Sequence, residues 1–239
     1  MLTLNKTVRE VALELPQATR VFEKLQIDYC CGGERPLPEA CAVAGVDLKK
    51  LESLLQEARE SGLKNEAFDL QAASLGELIK HILDKHHVFT RDEMTRLQSL
   101  IEKVIGAHGR NHLELLEIGE VFESLCLDLR SHMLREEQIL FPYIVAVEAS
   151  VWRSQPRPFA PFGTVSNPVR MMMMEHDSAG DILRKLRALT SDYTVPADAC
   201  LSYESLYQAL EAFEEDLHQH IHLENNILFP RAVELESQL

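Results

Sequence analysis

Apolar residues recur at helical spacing near the start of the chain, which predicts short amphipathic helices. Pro16 divides these apolar positions into two groups, and the run Asp28–Gly33, with two consecutive glycines, predicts a break. Residues 39–60 return to a helical pattern. We therefore expect a small helical N-terminal domain over residues 1–61, followed by a linker over residues 62–73. The apolar positions are Val8, Val11, Ala12, Leu15, Val21, Phe22, Leu25 and Ile27.

The pattern from Ser74 onward predicts four long helices. Their expected ranges are 74 to about 106–109, 111–148, 169–190 and 199 to the C-terminus. A proline-rich loop separates the second from the third, and Pro142 and Pro230 should kink or restart the helices that contain them. Four long helices with modest connections favour an all-α fold, an antiparallel four-helix bundle over residues 74–239.

Composition and charge narrow the possible classes of function. Hydrophobic residues make up 46% of the chain and the formal net charge is −14. No basic stripe is present for nucleic acid, and no apolar run approaches the roughly 20 residues of a membrane-spanning helix. Five cysteines without the density of a disulfide scaffold, and an N-terminus without a secretory signal, predict a cytoplasmic location.

The most informative pattern is an internal repeat. The chain reads HMLREEQILFP from His132 and HIHLENNILFP from His220, so each copy places a His and a Glu four positions apart before Ile-Leu-Phe-Pro. His87 lies 45 positions before His132, and His176 lies 44 positions before His220. Residues four apart lie on one helical face, so each copy directs an imidazole and a carboxylate to one point.

Each of these residues alone favours a plainer interpretation, because a His on an apolar face is usually packed and a single His–Glu pair usually lies at the surface. Together they supply the four imidazoles and two carboxylates of a dinuclear site, a donor set that suits iron or manganese. The absence of cysteine at ligand spacing in these helices argues against structural zinc. His86 is the alternative to His87. The predicted ligands are His87, His132, Glu136, His176, His220 and Glu224.

These motifs give the chain a family resemblance. It resembles the repair of iron centres family, the YtfE/ScdA-type di-iron proteins, and the ordered motifs span essentially the whole sequence. The resemblance implies a hemerythrin-like bundle behind a small N-terminal domain. It also implies two non-haem iron ions, bridged by an oxo group and by carboxylates, on the six residues named above. The matching segments are 28–33, 131–142, 175–180 and 223–232.

The function that the resemblance implies is repair of iron-sulfur clusters damaged by nitrosative or oxidative stress, by supplying iron. The expected partners are damaged iron-sulfur proteins, nitric oxide or oxygen as small ligands, and an electron donor. We expect a monomer or homodimer. Two alternatives remain open at this point: a nitric oxide reductase at the di-iron centre, and an oxygen or nitric oxide carrier or sensor.

Cys30 and Cys31 have two interpretations: a pair of small buried residues at a turn, or a redox-active or transient metal-binding pair. The resemblance favours the second, in which the thiols accept or sense iron or nitric oxide. The remaining cysteines, Cys41, Cys126 and Cys200, lie in helical patterns and are expected in the core.

Two acidic residues near the predicted ligands also have two interpretations. Asp128 lies one turn before His132, and Glu175 is adjacent to His176. Each is either a solvated helix charge or a carboxylate that supports a ligand or lines a proton path.

Overall fold

The computed structural model describes residues 6–62 and 72–239, so the predicted linker lies largely outside the described residues. The chain forms two compact units. The first comprises residues 1–74 together with 218–230, and the second comprises residues 75–217 together with 231–239.

The N-terminal part of the first unit consists of four short helices around a small apolar core. Thr7 caps the first helix and Glu10 returns the hydrogen bond, which makes a reciprocal capping box. Phe22 and Leu51 are completely buried. The helices are α1 (Val8–Glu14), α2 (Ala18–Lys24), α3 (Leu37–Ala44) and α4 (Leu48–Gly62).

The helical pattern over residues 39–60 is present as two helices, because Gly45 separates α3 from α4. Gly45 adopts a left-handed conformation with φ of 67°, which glycine tolerates better than any other residue. The amide of Val46 then donates to the carbonyl of Cys41 at 2.9 Å, which closes the end of α3. Asp47 accepts from the amide of Lys49 at 2.8 Å and caps α4.

The second unit contains most of four long helices, as the sequence predicts. Glu148, near the end of the second long helix, accepts from the amides of Leu75 and Gly76 at 2.7 and 3.0 Å and caps the start of the first. The end of one helix therefore meets the start of its neighbour, which is the antiparallel arrangement. The α-helical segments are α5 (Leu75–His81), α6 (Val88–His108), α7 (Glu114–Arg135), α8 (Phe141–Trp152), α9 (Ser166–Leu189), α10 (Leu201–Leu223) and α11 (Phe229–Glu236).

Within the described residues, three of these long helices contain a wide π-helical turn. The segments are π1 (Ile82–His87), π2 (Glu136–Leu140) and π3 (Glu224–Leu228). After π2 and π3 the chain restarts as α8 and α11, one residue before Pro142 and Pro230. In an α-helix, a proline ring clashes with the carbonyl four residues earlier, and a wider π turn relieves that clash. The predicted restart of the helix at each proline is therefore confirmed, and it takes place through a π turn.

None of the described helices is both long enough and apolar enough to cross a membrane.

Replacing Gly45 by Ala should lower the free energy of unfolding by about 1–2 kcal/mol, the usual cost of a left-handed conformation for a residue with a Cβ. No neighbouring atom lies within 4 Å of the new Cβ, so backbone strain is the sole cause. Gly106→Ala is the matched control: it lies inside α6 with equally open space and should raise stability by up to about 1 kcal/mol. Urea unfolding followed by circular dichroism measures both, and equal effects of the two variants would contradict the assignment.

Candidate metal centre

His132 and His176 direct their Nε2 atoms at one another from α7 and α9. The two nitrogens are 3.1 Å apart and both side chains are buried. The other ring nitrogen of His132, Nδ1, lies 2.8 Å from Oε2 of Glu175. Nδ1 therefore donates to the carboxylate, and Nε2 carries the lone pair that a metal ion requires.

His87 repeats this arrangement at the end of π1. Its Nδ1 lies 2.6 Å from Oε1 of Glu137, and its Nε2 lies 3.4 Å from Oε2 of Glu136. The second oxygen of Glu136 lies 3.3 Å from Nε2 of His132. Both Glu136 distances exceed the usual 2.7–3.2 Å of an N–H···O hydrogen bond, a spacing typical of ligand atoms around a common point.

The carboxylates that hold the two imidazoles are ionised. Hydrogen bonding by His132 and then by Arg135 lowers the pKa of Glu175 to about 2, against the opposing effect of burial. Burial raises the pKa of Glu137, but the hydrogen bonds from His87 and Arg91 outweigh it, and its pKa lies below the usual value. An ionised carboxylate accepts only, so each imidazole must place its proton on Nδ1.

The C-terminal copy of the repeat has the expected helical geometry. His220 Nε2 and Glu224 Oε1 are 3.1 Å apart, one turn from each other, and both side chains are buried. His220 lies in the last turn of α10, and Glu224 is the first residue of π3. The four-residue spacing therefore places an imidazole and a carboxylate together here, as it does at His132 and Glu136.

Two groups of buried side chains could each hold a metal ion. Within each group the ligand atoms all lie within 4.8 Å of one another. The donors are imidazole nitrogens and carboxylate oxygens, a set that suits iron or manganese, so the residues present fit such an ion. Both groups contain Glu136 and Glu224. The first group is His87, Glu136, His220 and Glu224, and the second is His132, Glu136, His176 and Glu224.

His86, the alternative to His87, and the two histidines on either side of His220 have other neighbours. His86 is buried, but its Nδ1 lies 3.0 Å from both carboxylate oxygens of Asp216, and it belongs to neither group. His218 lies 2.9 Å from Glu23, and His222 lies against Tyr29. The structure thus brings His87, and not His86, into contact with the candidate ligands.

The two predicted supporting carboxylates differ in position. Glu175 contacts His132 as described, whereas Asp128 is exposed on α7. Sequence reasoning missed Glu137, which contacts His87. The feature of the sequence that could have indicated it is the pair of consecutive glutamates after His132. The second glutamate points away from the face that carries the ligands and reaches a neighbouring helix.

The thiol pair lies in a tight loop of the first unit. The Sγ atoms of Cys30 and Cys31 are 3.8 Å apart. One carboxylate oxygen of Asp28 accepts from the amides of Cys30, Cys31 and Gly32 at 3.2, 3.0 and 2.9 Å. The contact with Cys31, followed by burial, raises the pKa of Cys30 well above its usual value, so this thiol is protonated.

The other cysteines divide into two groups. Cys41 and Cys126 are buried, as predicted, but the prediction for Cys200 was wrong because that side chain is exposed. The physical reason is that α10 begins at Leu201, so Cys200 precedes the helix instead of lying on its apolar face. Hydrogen bonds from the Tyr203 amide and from His108 lower the pKa of Cys200 to about 7.

Comparison with known proteins decides the family. A model of the hemerythrin HHE cation binding domain matches residues 78–232. A second model, ScdA_N, described as a domain of unknown function (DUF542), matches residues 4–59. A probable iron-sulfur cluster repair protein of Haemophilus influenzae is 36% identical over 229 residues, which cover 96% of this chain and 97% of the relative.

The chain belongs to the YtfE family. The iron-sulfur cluster repair protein YtfE of Dickeya chrysanthemi is 35% identical over 230 residues, covering 96% of this chain and 97% of the relative. The protein of the same name from Escherichia coli is 33% identical with the same coverage of each chain. In this YtfE-family chain, the residues that the HHE model matches include all six candidate ligands.

Replacing Glu137 or Glu175 by Gln should weaken iron binding by roughly 10- to 100-fold, the usual effect of removing a carboxylate that orients a ligating imidazole. The amide is nearly isosteric but no longer fixes the Nδ1 proton. Glu93→Gln is the control, since Glu93 pairs with Arg96 and contacts none of the candidate ligands. Competition with a chelator for Fe(II) measures the affinities. Equal affinity for all three variants and the wild type would show that neither carboxylate supports the centre.

Proposed function

We propose that this chain is a non-haem di-iron protein that repairs iron-sulfur clusters damaged by nitrosative or oxidative stress by supplying iron to them. The observation that carries the proposal is that two four-residue groups share Glu136 and Glu224. A carboxylate that serves two groups acts as a bridge, and two bridges hold two ions close together.

The proposed ligand assignment follows from the two groups. His87 and His220 would hold one iron, and His132 and His176 would hold the other. The carboxylates of Glu136 and Glu224, together with an oxo group, would bridge the two ions. Both carboxylates are completely buried, and buried charge is tolerated when it is paired or binds a metal ion.

Each protein group has a definite role in this centre. Glu137 and Glu175 hold the Nδ1 protons of His87 and His132, which keeps both Nε2 atoms available as ligands. Arg135 donates to Glu175 at 2.6 Å and keeps that carboxylate ionised. Iron bound here would supply a site for oxygen or nitric oxide, and the surrounding burial limits access of water.

The repair role rests on the relatives and on the thiol pair. The relatives carry the name of iron-sulfur cluster repair proteins, which favours repair over the reductase and carrier alternatives. Damaged iron-sulfur proteins are then the clients, nitric oxide or oxygen are the small ligands, and an electron donor completes the set of partners. Cys30 and Cys31 accept or sense iron or nitric oxide. All five cysteines are free thiols, in keeping with the reducing cytoplasm.

The adjacent pair His86 and His87 provides a matched test of the ligand set. Wild-type protein should bind two irons per chain, and His86→Ala should bind the same number, because His86 contacts Asp216 instead of the candidate ligands. His87→Ala should lose at least one iron. Iron is measured by colorimetric chelation after anaerobic reconstitution, with circular dichroism to verify folding. Loss of iron from the His86 variant but not from the His87 variant would reverse the assignment.

Replacing both Cys30 and Cys31 by Ser should abolish repair while leaving two irons bound, because neither thiol belongs to a candidate ligand group. Repair is measured as the recovery of activity of a [4Fe–4S] enzyme previously damaged by nitric oxide. Cys200→Ser is the control for the loss of an accessible thiol, since Cys200 is exposed, and it should repair at the wild-type rate. An unchanged rate in the double variant would remove the thiols from the repair step.

A further inference from the structure

The segment formed by the end of α10 and by π3 has two functional faces. His220 and Glu224 form one face, and both belong to the candidate ligand groups. His218, His222 and Asn226, again spaced four apart, form another. These three residues contact the N-terminal helices and loop of the same compact unit. One short stretch of helix therefore serves both the candidate metal ligands and the thiol loop.

Asn226 makes the closest polar connection to the thiol loop. Its Nδ2 donates to the carbonyl of Tyr29 at 3.1 Å and to the carbonyl of Cys30 at 3.3 Å. The same nitrogen lies 2.9 Å from Nδ1 of His222. Asn226 is itself buried. Because both carbonyls only accept, the amide nitrogen must face the loop; one of its two hydrogens is shared between the two carbonyls and the other is directed to the imidazole.

Arg9 makes a second connection between the loop and the helical turn that contains Asn226. The side chain of Arg9 donates through Nη2 to the backbone carbonyl of Asn226 at 3.1 Å, and its amide donates to the carbonyl of Gly33 at 2.7 Å. A Cβ on Gly33 would lie 3.1 Å from the Tyr29 carbonyl oxygen and 3.4 Å from Oδ1 of Asn226. The backbone around Cys30 and Cys31 is thus fitted closely against the helical turn that contains Asn226.

We propose that Asn226 is a positioning residue that couples occupancy of the metal centre to the reactivity of Cys30 and Cys31. This inference rests on the proposed di-iron function. Glu224 begins π3 and Asn226 lies two residues further in the same turn. An ion that fixes Glu224 thereby fixes the π turn and the amide that holds the loop. A change of this turn toward α-helical register would rotate Asn226 away from Tyr29 and Cys30.

The coupling gives Cys30 and Cys31 one reactivity before iron is released and another afterwards. With iron bound, the loop is held and the thiols react slowly. After iron has left, the loop loosens and the thiols become accessible at the stage when they would act. The structural change is confined to one turn of one helix, so no movement of a whole domain is required.

Thiol alkylation tests this coupling directly. Iron-free and Fe(II)-reconstituted full-length protein are treated anaerobically with iodoacetamide, and modification of Cys30 and Cys31 is followed by peptide mass spectrometry. Wild-type thiols should react about tenfold more slowly when iron is bound, a factor comparable to the net contribution of one hydrogen bond. Cys200, which is exposed, provides an internal reference whose rate should not depend on iron.

Three variants test whether Asn226 is the coupling residue. Asn226→Ala should still bind iron but should alkylate at the fast rate in both states, whereas the neighbouring Asn225→Ala should retain the wild-type dependence on iron. Gly33→Ala disturbs the contact between Asn226 and the loop from the loop side, so it should behave like Asn226→Ala. It tests the coupling even if Asn226→Ala does not fold.

The outcomes separate this inference from the proposed function. Iron-independent alkylation in the wild type, or wild-type dependence in both Asn226→Ala and Gly33→Ala, would overturn the coupling while the iron centre stands. Failure of the wild type to bind iron at all would overturn the proposed function, and the coupling with it.

Discussion

The constraint on which the site depends is the burial of two carboxylates. Glu136 and Glu224 have no exposed surface, and moving an ionised carboxylate out of water costs several kcal/mol even in a relaxed protein. Cations held by the two groups of His and Glu side chains would compensate that charge, in agreement with the convergence of four imidazoles and with the acidic partners of His87 and His132. The same carboxylates would be costly in a bundle that held no ion.

The π-helical turns show how the backbone adapts to this requirement. Each of the three described segments includes one candidate ligand: His87 ends π1, Glu136 begins π2 and Glu224 begins π3. A π turn has poorer hydrogen bonding than an α turn and is found frequently at functional sites. In π2 and π3 the following Phe-Pro pair gives the wider turn a second cause, because the proline cannot complete an ordinary helix. The repeated Ile-Leu-Phe-Pro sequence is therefore part of the geometry of the candidate site.

Local spacing explains what could be predicted from the sequence. The four-residue interval placed His132 with Glu136 and His220 with Glu224, and apolar periodicity gave the four long helices to within a few residues. Long-range contacts could not be obtained in this way. Glu137 supports His87 from a different helix, and His222 and Asn226 hold a loop almost two hundred positions earlier in the chain. The break at Gly45 was not predicted and Cys200 was misplaced for the same local reason, since helical periodicity does not reveal where a helix begins or ends.

The most direct test of the proposed di-iron centre is the Mössbauer spectrum of protein reconstituted anaerobically with ⁵⁷Fe and then oxidised, recorded together with the iron content. Two irons per chain, with the paired ferric signal of ions coupled through an oxo bridge, is the expected result. Zinc alone, a single isolated iron, or no metal after reconstitution would contradict a centre bridged by Glu136 and Glu224.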